Sequence, residues 1–287
     1  MQTLTFRVTG GDLNALRFGT GARLVLAVHG ITASGMQFRP IARHLPADWS
    51  LVALDLRGRG GSDMLPGPYG IDAHAADVCT VVRQLGTPVV LTGHSMGAYV
   101  ALRSAVALPD FVERLVLIDG GLPLPVPAHV DPDQLLQATV GPAMARLRRT
   151  FESTESYVAS FRAHPALSAG WNGDLEAYVR YDATGEPGAI RSRVNPDAAV
   201  GDGRDVIANA ALFGNDLLRL MVPTSLLYAP RDALDREPGM MPEPVVQHWA
   251  RMAGLRAEVV PGTNHYTIVL ADEPAGIVAD RLTRTSP

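Results

Sequence analysis

A serine between two glycines is the residue of this chain best placed to act as a nucleophile. Ser95 stands in Gly93-His94-Ser95-Met96-Gly97, directly after an apolar run and before a helical pattern that Pro109 ends. Such a run predicts a buried strand. A serine at a strand-to-helix corner needs a sharply turned backbone, and flanking glycines remove the Cβ atoms that would clash there. The turn would expose the Ser95 hydroxyl and point the Met96 amide into the same space, which favours acyl-transfer chemistry.

A base must take the serine proton before the hydroxyl can attack. Of the eight histidines in the chain, His265 is the candidate, because it follows the last predicted strand. Loops at the carboxyl edge of a parallel sheet are where such sites form. His94 neighbours the serine in sequence, but the sharp turn should aim it differently. His29 is predicted to be a hydrogen-bonding structural residue.

An acid should hold the imidazole in the right tautomer. Asp232 follows the predicted strand Thr224–Tyr228, and it gives the chain order serine, aspartate, histidine that is expected for this kind of turn. We therefore predict Asp232 as the acid. Asp119, at the end of the preceding strand, is the second candidate, and Asp235 is the third.

Two backbone amides are needed to stabilise the oxyanion of an acyl-transfer reaction. Met96 would supply one of them. The other should come from the loop after Val28, where Gly30 lets the backbone approach closely. We predict the amide of Ile31 as the second donor, so the side chains of Ile31 and Met96 should border the pocket.

The elements that position these residues alternate between strand-like and helical patterns. Apolar or alternating segments that predict strands are 3–8, 12–18, 24–28, 50–55, 88–92, 114–119, 224–228 and 256–260. Helical patterns are found near 36–45, 71–85, 98–108 and 273–282. This alternation predicts a mostly parallel sheet with helices on both faces, since strands buried on both sides read as near-continuous apolar runs.

A long segment interrupts this alternation. Between Leu122 and Leu218 the sequence shows helical stretches near 132–151, 154–163, 174–181 and 205–213, and no convincing strand. A segment of this size is too long for a loop. We predict a core of residues 1–121 and 219–287, with residues 122–218 inserted as a helical cap.

Composition narrows the classes of function. Hydrophobic residues make up 47% of the 287, which is enough for a large core, and the net charge of −4 does not favour a nucleic-acid or membrane partner. All basic residues are arginine, which excludes Schiff-base chemistry and a P-loop lysine. The single cysteine, Cys79, is predicted to pack in a helix. We expect no cofactor, no metal site and a cytoplasmic location, and the sequence does not indicate the oligomeric state.

The chain resembles proteins of the α/β-hydrolase fold that carry a cap. The matching features are His29-Gly30, the loop Asp55-x-Arg57-Gly58-x-Gly60-x-Ser62, the Gly93–Gly97 turn, Asp232 and His265. The acid loop departs from the family's usual Gly-x-x-Asp, since it reads Ala229-Pro230-Arg231-Asp232. The resemblance implies an eight-stranded, mostly parallel sheet flanked by helices, with a helical cap. It is to the branch of small-molecule esterases, lactonases, C–C bond hydrolases and haloperoxidases. Epoxide hydrolases and haloalkane dehalogenases carry aspartate where this chain has Ser95.

These features predict a serine hydrolase that cleaves an ester, thioester or lactone of a small to medium apolar substrate. Ser95 would form the acyl-enzyme, with His265 as base and Asp232 as acid. A C–C bond hydrolase or a non-hydrolytic enzyme with the same triad is the alternative, because specificity depends on the cap and the pocket. A ligand-binding receptor of this fold is a third hypothesis.

Overall fold

The computed structural model describes residues 1–123 and 131–284. In these ranges the strands are β1 (Gln2–Val8), β2 (Gly11–Phe18), β3 (Arg23–Val28), β4 (Trp49–Leu54), β5 (Val89–His94), β6 (Val112–Ile118), β7 (Ala183–Thr184), β8 (Arg191–Ser192), β9 (Thr224–Tyr228) and β10 (Arg256–Val259). Eight of them form one sheet in the order β1-β2-β4-β3-β5-β6-β9-β10. The first two pairings are antiparallel and the rest are parallel, which confirms the predicted eight-stranded, mostly parallel sheet.

Helices flank this sheet on both faces. The helices of the described ranges are α1 (Arg39–Arg43), α2 (Ile71–Leu85), α3 (Met96–Ala107), α4 (Pro132–Leu147), α5 (Thr154–Arg162), α6 (Pro165–Ser168), α7 (Gly173–Asp182), α8 (Pro196–Ala208), α9 (Ala210–Leu218), α10 (Glu243–Ala253), α11 (Thr267–Leu270) and α12 (Asp272–Thr283). Within the described ranges, no helix has both the length and the apolar character that crossing a bilayer requires.

The central strands are buried on both faces because their side chains alternate between two cores. In β3, Val25 and Ala27 pack in one core with residues of α1, α11 and α12. Leu26 and Val28, on the opposite face, pack in the other core with residues of α2, α3 and α10. Period-two alternation places successive side chains on opposite faces, so a strand covered on both sides must be apolar throughout.

The segment between β6 and β9 contains α4 to α9. The single helix predicted near 205–213 is wrong, because α8 and α9 meet at Asn209. The start of α8 carries a helix-capping signal in the sequence: the Asn195 side chain accepts hydrogen bonds from the backbone N–H groups of Asp197 and Ala198. The hairpin of β7 and β8 and the short helix α6 were also not predicted. Residues 124–130 of the predicted insertion lie outside the described ranges.

The loops that leave the parallel strands converge on one edge of the sheet. β3 is followed by His29, β5 by Ser95, β6 by Asp119 and β9 by Ala229, while His265 lies in the loop after β10. Carboxyl ends of parallel strands meet at the same edge, which is where sites of this architecture lie.

Candidate active site

Ser95 occupies a sharp turn between β5 and α3, as its sequence pattern predicts. Its φ of 56° lies in the left-handed region, which residues other than glycine rarely adopt. The neighbouring glycines are needed sterically. A Cβ at Gly93 would lie 2.0 Å from the Gly97 carbonyl oxygen, and a Cβ at Gly97 would lie 2.1 Å from the Val28 carbonyl oxygen. The backbone segments around the turn therefore lie too close together for a residue larger than glycine at either position.

His265 lies within hydrogen-bond distance of the serine. Its Nε2 atom is 3.0 Å from the Ser95 Oγ, and its Nδ1 atom is 2.6 Å from the Asp119 Oδ2. The Asp119 side chain is fully buried, and its Oδ1 accepts a hydrogen bond from the Ala229 amide at 3.1 Å. The Nδ1–H of a neutral His265 donates to Asp119, which leaves Nε2 free to accept the serine proton.

The prediction that Asp232 orients the histidine is wrong in this structure. Asp232 accepts hydrogen bonds from the backbone N–H groups of Leu234 and Arg236, and its Oδ2 pairs with the Arg236 guanidinium at 2.8 Å. Burial raises the pKa of Asp232. The hydrogen-bond donors and the Arg236 charge lower it by more than burial raises it, so the pKa lies below its ordinary value. Asp232 therefore closes its own loop, and Asp119, the second candidate, lies against His265.

Asp235, the third candidate, also has other partners. Its Oδ1 accepts from Arg231 Nε at 2.7 Å and from Asn264 Nδ2 at 2.9 Å. It therefore links the loop after β9 to the loop that carries the histidine.

Ile31 lies in a tight turn beside the serine. The Ala33 amide donates to the Gly30 carbonyl at 3.2 Å, and the same carbonyl is 2.8 Å from His29 Nδ1. A Cβ at Gly30 would lie 3.3 Å from the Ser95 Cβ, so the turn approaches the nucleophile closely. In a trans peptide the C=O and N–H point in opposite directions. With the Gly30 carbonyl held on one side, the Ile31 N–H points the other way.

Ile31 and Met96 both present unused backbone donors. Met96 is the first residue of α3, so its N–H has no acceptor within the helix. Neither amide donates to another residue in the described part of the chain. These are the two amides that the sequence nominates for an oxyanion hole.

His29 is the structural residue that was predicted. Its Nε2 accepts from the Leu56 amide at 3.0 Å, so its proton is on Nδ1, which donates to Gly30. Burial is the main cause that lowers the pKa of His29 to about 3, so the ring stays neutral. A neutral His29 fixes the Gly30 carbonyl without placing a charge in the site.

His94 supports the histidine in a way that the sequence did not reveal. Its ring lies 4.8 Å from the ring of His265, and its Nε2 is 2.8 Å from the His265 carbonyl oxygen. Gln37 Nε2 lies 3.3 Å from His94 Nδ1. Burial lowers the pKa of His94 well below its ordinary value. The Gln37 amide thus donates to Nδ1 while the Nε2–H of His94 donates to the main chain of His265.

A cavity of about 360 Å³ opens onto Ser95 and His265. Its walls are largely apolar, and they come from α4, α8 and the loop between β9 and α10. Examples are Leu135, Leu136, Val206, Ile207, Leu234 and Met241. Among the described lining residues the single arginine is Arg236, which Asp232 already neutralises. Within the same ranges, no group of three histidine, cysteine or acidic side chains is arranged to hold a metal ion.

The chain matches a model of the alpha/beta hydrolase family over residues 25–281. It is 39% identical over 115 residues to lipase LipV of Mycobacterium tuberculosis, and 36% identical over 151 residues to N-formylmaleamate deformylase of Pseudomonas putida. These matches cover 39% and 47% of this chain, and 43% and 56% of the two relatives. The matches to the curated relatives thus span about half of their length.

Solved structures share the fold over nearly the whole chain. The crystal structure of E-2-(acetamidomethylene)succinate hydrolase has a TM-score of 0.80 at 22% identity, covering 98% of this chain and 99% of that one. The thioesterase domain from the curacin biosynthetic pathway has a TM-score of 0.77 at 20% identity, covering 98% of each chain. Identities this low support the fold alone.

Proposed function

Because the chain belongs to the alpha/beta hydrolase family, we propose that it is a serine hydrolase that forms an acyl-enzyme on Ser95. The observation that carries the proposal is the continuous contact from Ser95 Oγ through His265 to Asp119, with distances of 3.0 Å and 2.6 Å. The substrate is an ester, thioester or lactone of small to medium size with a largely apolar acyl group. Residues 122–218 act as a cap over this site.

The reaction proceeds in two acyl transfers. His265 Nε2 takes the proton of Ser95 as Oγ attacks the acyl carbonyl carbon, and the carbonyl oxygen becomes an oxyanion. The N–H groups of Ile31 and Met96 donate to that oxygen. The protonated His265 then gives its proton to the leaving alcohol or thiol as the tetrahedral intermediate collapses. Water next attacks the acyl-enzyme with His265 again as the base, and the acid and free Ser95 are released.

Asp119 is the acid of this mechanism. Its buried carboxylate accepts the Nδ1–H of His265, which keeps Nε2 available for the serine proton. The same carboxylate stabilises the imidazolium that forms during each transfer. The Ala229 amide holds the other carboxylate oxygen, so the acid stays in place while the charge on His265 changes.

The walls of the cavity favour a neutral substrate. The named substrates of two relatives, N-formylmaleamate and 2-(acetamidomethylene)succinate, carry carboxylates. A site for such anions would need a free cation, whereas Arg236 is already paired with Asp232. The apolar lining instead matches an alkyl or aryl acyl chain.

A fluorophosphonate probe and a series of p-nitrophenyl esters test the proposal. The unmodified protein should react with the probe and hydrolyse neutral esters, and Ser95→Ala should lose both activities. Ser104→Ala is a matched control, because Ser104 is a buried serine of α3, the helix that follows Ser95, and its hydroxyl donates to the Val100 carbonyl. Retained hydrolysis in Ser95→Ala would contradict the proposal.

The ester series also tests the substrate class. Faster turnover of p-nitrophenyl hemisuccinate than of p-nitrophenyl butyrate would refute the proposed preference for a neutral acyl group. Probe labelling without turnover of any ester would favour the alternative, a C–C bond hydrolase or another specialised enzyme with the same triad.

A further inference from the structure

An ion pair that is closed off from solvent connects the loop after β4 to α8. The Nη2 atom of Arg59 lies 2.6 Å from the Oδ2 atom of Asp202, and both side chains are 0% exposed. Burying two charges is costly, and a buried pair often stabilises a fold no better than apolar residues of the same size. The pair therefore points to a role other than stability.

Arg59 donates to more than its acidic partner. Its Nε and Nη2 atoms donate to the Ile31 carbonyl at 3.3 Å and 3.2 Å, and its Nη1 atom donates to the Arg57 carbonyl at 2.9 Å. The peptide before Ile31 is held at the Gly30 carbonyl by His29. The peptide after it is held by Arg59. Ile31 is thus fixed on both sides, and its own N–H has no partner among the described residues.

Asp202 fixes Arg59 from the side of α8. Its Oδ1 accepts from the Gly70 amide at 2.6 Å, and its Oδ2 lies 2.9 Å from His74 Nε2. The next residue, Gly203, lines the cavity beside Ile31, where an added Cβ would lie 3.2 Å from Ile31 Cδ1. The helix α8 therefore reaches Ile31 in two ways, through Arg59 and by direct proximity.

We propose that Arg59 is a positioning residue that holds the Ile31 peptide so that its N–H faces the oxyanion, with Asp202 of α8 fixing Arg59. This inference rests on the proposed function, since it concerns one of the two oxyanion donors. It couples α8, a wall of the substrate cavity, to the donor that stabilises the transition state. Movement of α8 away from the site would release Arg59 and loosen the Ile31 turn.

Three variants separate positioning from structural support. Arg59→Met removes the donors to Ile31 and leaves the Asp202 carboxylate without its guanidinium partner. Asp202→Asn removes the acid but keeps the Arg59 donors. The double variant removes both charges, so its Tm should recover relative to Arg59→Met, as replacing a buried pair by neutral groups often allows.

The order of the variants by kcat should differ from their order by Tm. Removing a single oxyanion donor costs about 10²-fold to 10³-fold in kcat, so a misplaced donor should cost about 10-fold to 100-fold. We expect that loss in Arg59→Met and in the double variant, with KM changed less than about threefold, because the donor acts in the transition state. Asp202→Asn should lose less than Arg59→Met. The Ki of a trifluoromethyl ketone, whose adduct with Ser95 carries an oxyanion, should rise in parallel with the loss of kcat.

Asp216→Asn is the matched control. Asp216 is a fully buried acid on the neighbouring helix α9, and it pairs with Arg103 of α3 at 2.9 Å without contacting the Ile31 turn. This variant should lower Tm with kcat nearly unchanged. An equal loss of kcat in Asp216→Asn and Arg59→Met, or recovery of kcat with Tm in the double variant, would overturn the proposal. If Arg59→Met does not fold, Arg59→Lys and Asp202→Asn decide the question by the same comparison.

Failure of the proposed function would look different. In that case the unmodified protein would not react with the fluorophosphonate, whereas failure of the Arg59 proposal leaves labelling of Ser95 intact and kcat insensitive to Arg59. A crystal structure of the double variant gives a readout independent of activity. The turn at Gly30–Ala33 should be displaced, and an unchanged turn would refute the positioning role.

Discussion

Replacing Asp119 by asparagine should reduce kcat by about 10⁴-fold, which corresponds to about 5.5 kcal/mol of transition-state stabilisation. The reason lies in the contacts of the carboxylate. The Ala229 N–H donates to Oδ1, so the carbonyl oxygen of the new amide should remain there and its NH₂ group should face His265. An NH₂ group can only donate, so His265 must accept at Nδ1 and carry its proton on Nε2. In that tautomer Nε2 cannot take the serine proton.

Asp232→Asn is the comparison that makes this prediction specific. The amide oxygen can keep the hydrogen bonds from Leu234 and Arg236, and the variant loses the ion pair with Arg236. The Arg236 side chain is 64% exposed, so the pair should contribute less than about 1 kcal/mol. We expect kcat within about threefold of the unmodified protein.

The assay measures kcat and KM of both variants with one neutral p-nitrophenyl ester, with Ser95→Ala as the baseline. Thermal unfolding checks that each variant is folded. The reasoning would be refuted if Asp232→Asn lost about 10⁴-fold while Asp119→Asn retained most activity. That outcome would mean that the loop after β9 moves to His265 in the working enzyme.

Three further predictions concern the buried His29, the close backbone contact at Gly120, and Ile207 in the wall of the cavity. Because the pKa of His29 is lowered to about 3, the unfolded chain binds its proton below about pH 6.5 and the folded chain does not. The free energy of unfolding should thus fall by about 2 kcal/mol from this group between pH 8 and pH 5. Urea unfolding should show a shallower pH dependence in His29→Gln, and an equal slope would contradict the assignment. Gly120→Ala should impair ester hydrolysis, since its Cβ would lie 2.3 Å from the Ser95 carbonyl oxygen, whereas Gly201→Ala, in open space on α8, should raise the free energy of unfolding by up to about 1 kcal/mol. Ile207→Trp should lower kcat/KM for p-nitrophenyl octanoate more than for the acetate, because Ile207 lines the cavity; equal losses would place the acyl chain elsewhere.

The parts of the site that could be predicted are encoded locally. The turn at Ser95 needs glycines within two residues of it, and both are visible in the sequence. His265 follows the last predicted strand, and the topology of a parallel sheet brings that loop to the same edge as β5. The roles of Ile31 and Met96 as oxyanion donors stay predictions, although neither N–H donates to any residue that the structure describes.

The choice of acid could not be made from strand ends alone. Asp119 and Asp232 both follow strands that end at the same edge, so the topology permits either one. The backbone conformation and competing partners decide between them. Asp119 takes a φ of 45° that turns it toward His265, and Arg236 binds Asp232 from four residues away. Two features of the sequence bear on this choice. The i,i+4 spacing of Asp232 and Arg236 indicates a local ion pair, and the two glycines after Asp119 indicate a sharp turn at the end of that strand.

The buried partners of Arg59 depend on contacts between distant segments. In the sequence the loop Asp55–Ser62 is a feature that matches the family, and nothing local shows that Arg59 contacts Asp202, which lies 143 residues away. Such a pair forms because α8 packs against α2 and α3, and that packing is a property of the folded chain.

An acid at the end of β6 changes what the loop after β9 can do. That loop supports the proposed triad at its first residue, because the Ala229 N–H donates to Asp119. Beyond that residue the proposed mechanism needs no acid from this loop, and Leu234, Met240 and Met241 line the cavity. The Asp232–Arg236 pair then serves to close this loop into a wall. Under the proposed mechanism, changes at Leu234, Met240 or Met241 reshape the acyl pocket without altering the contact of Asp119 with His265. Changes in α8 act on the pocket and, through Arg59, on the Ile31 donor as well.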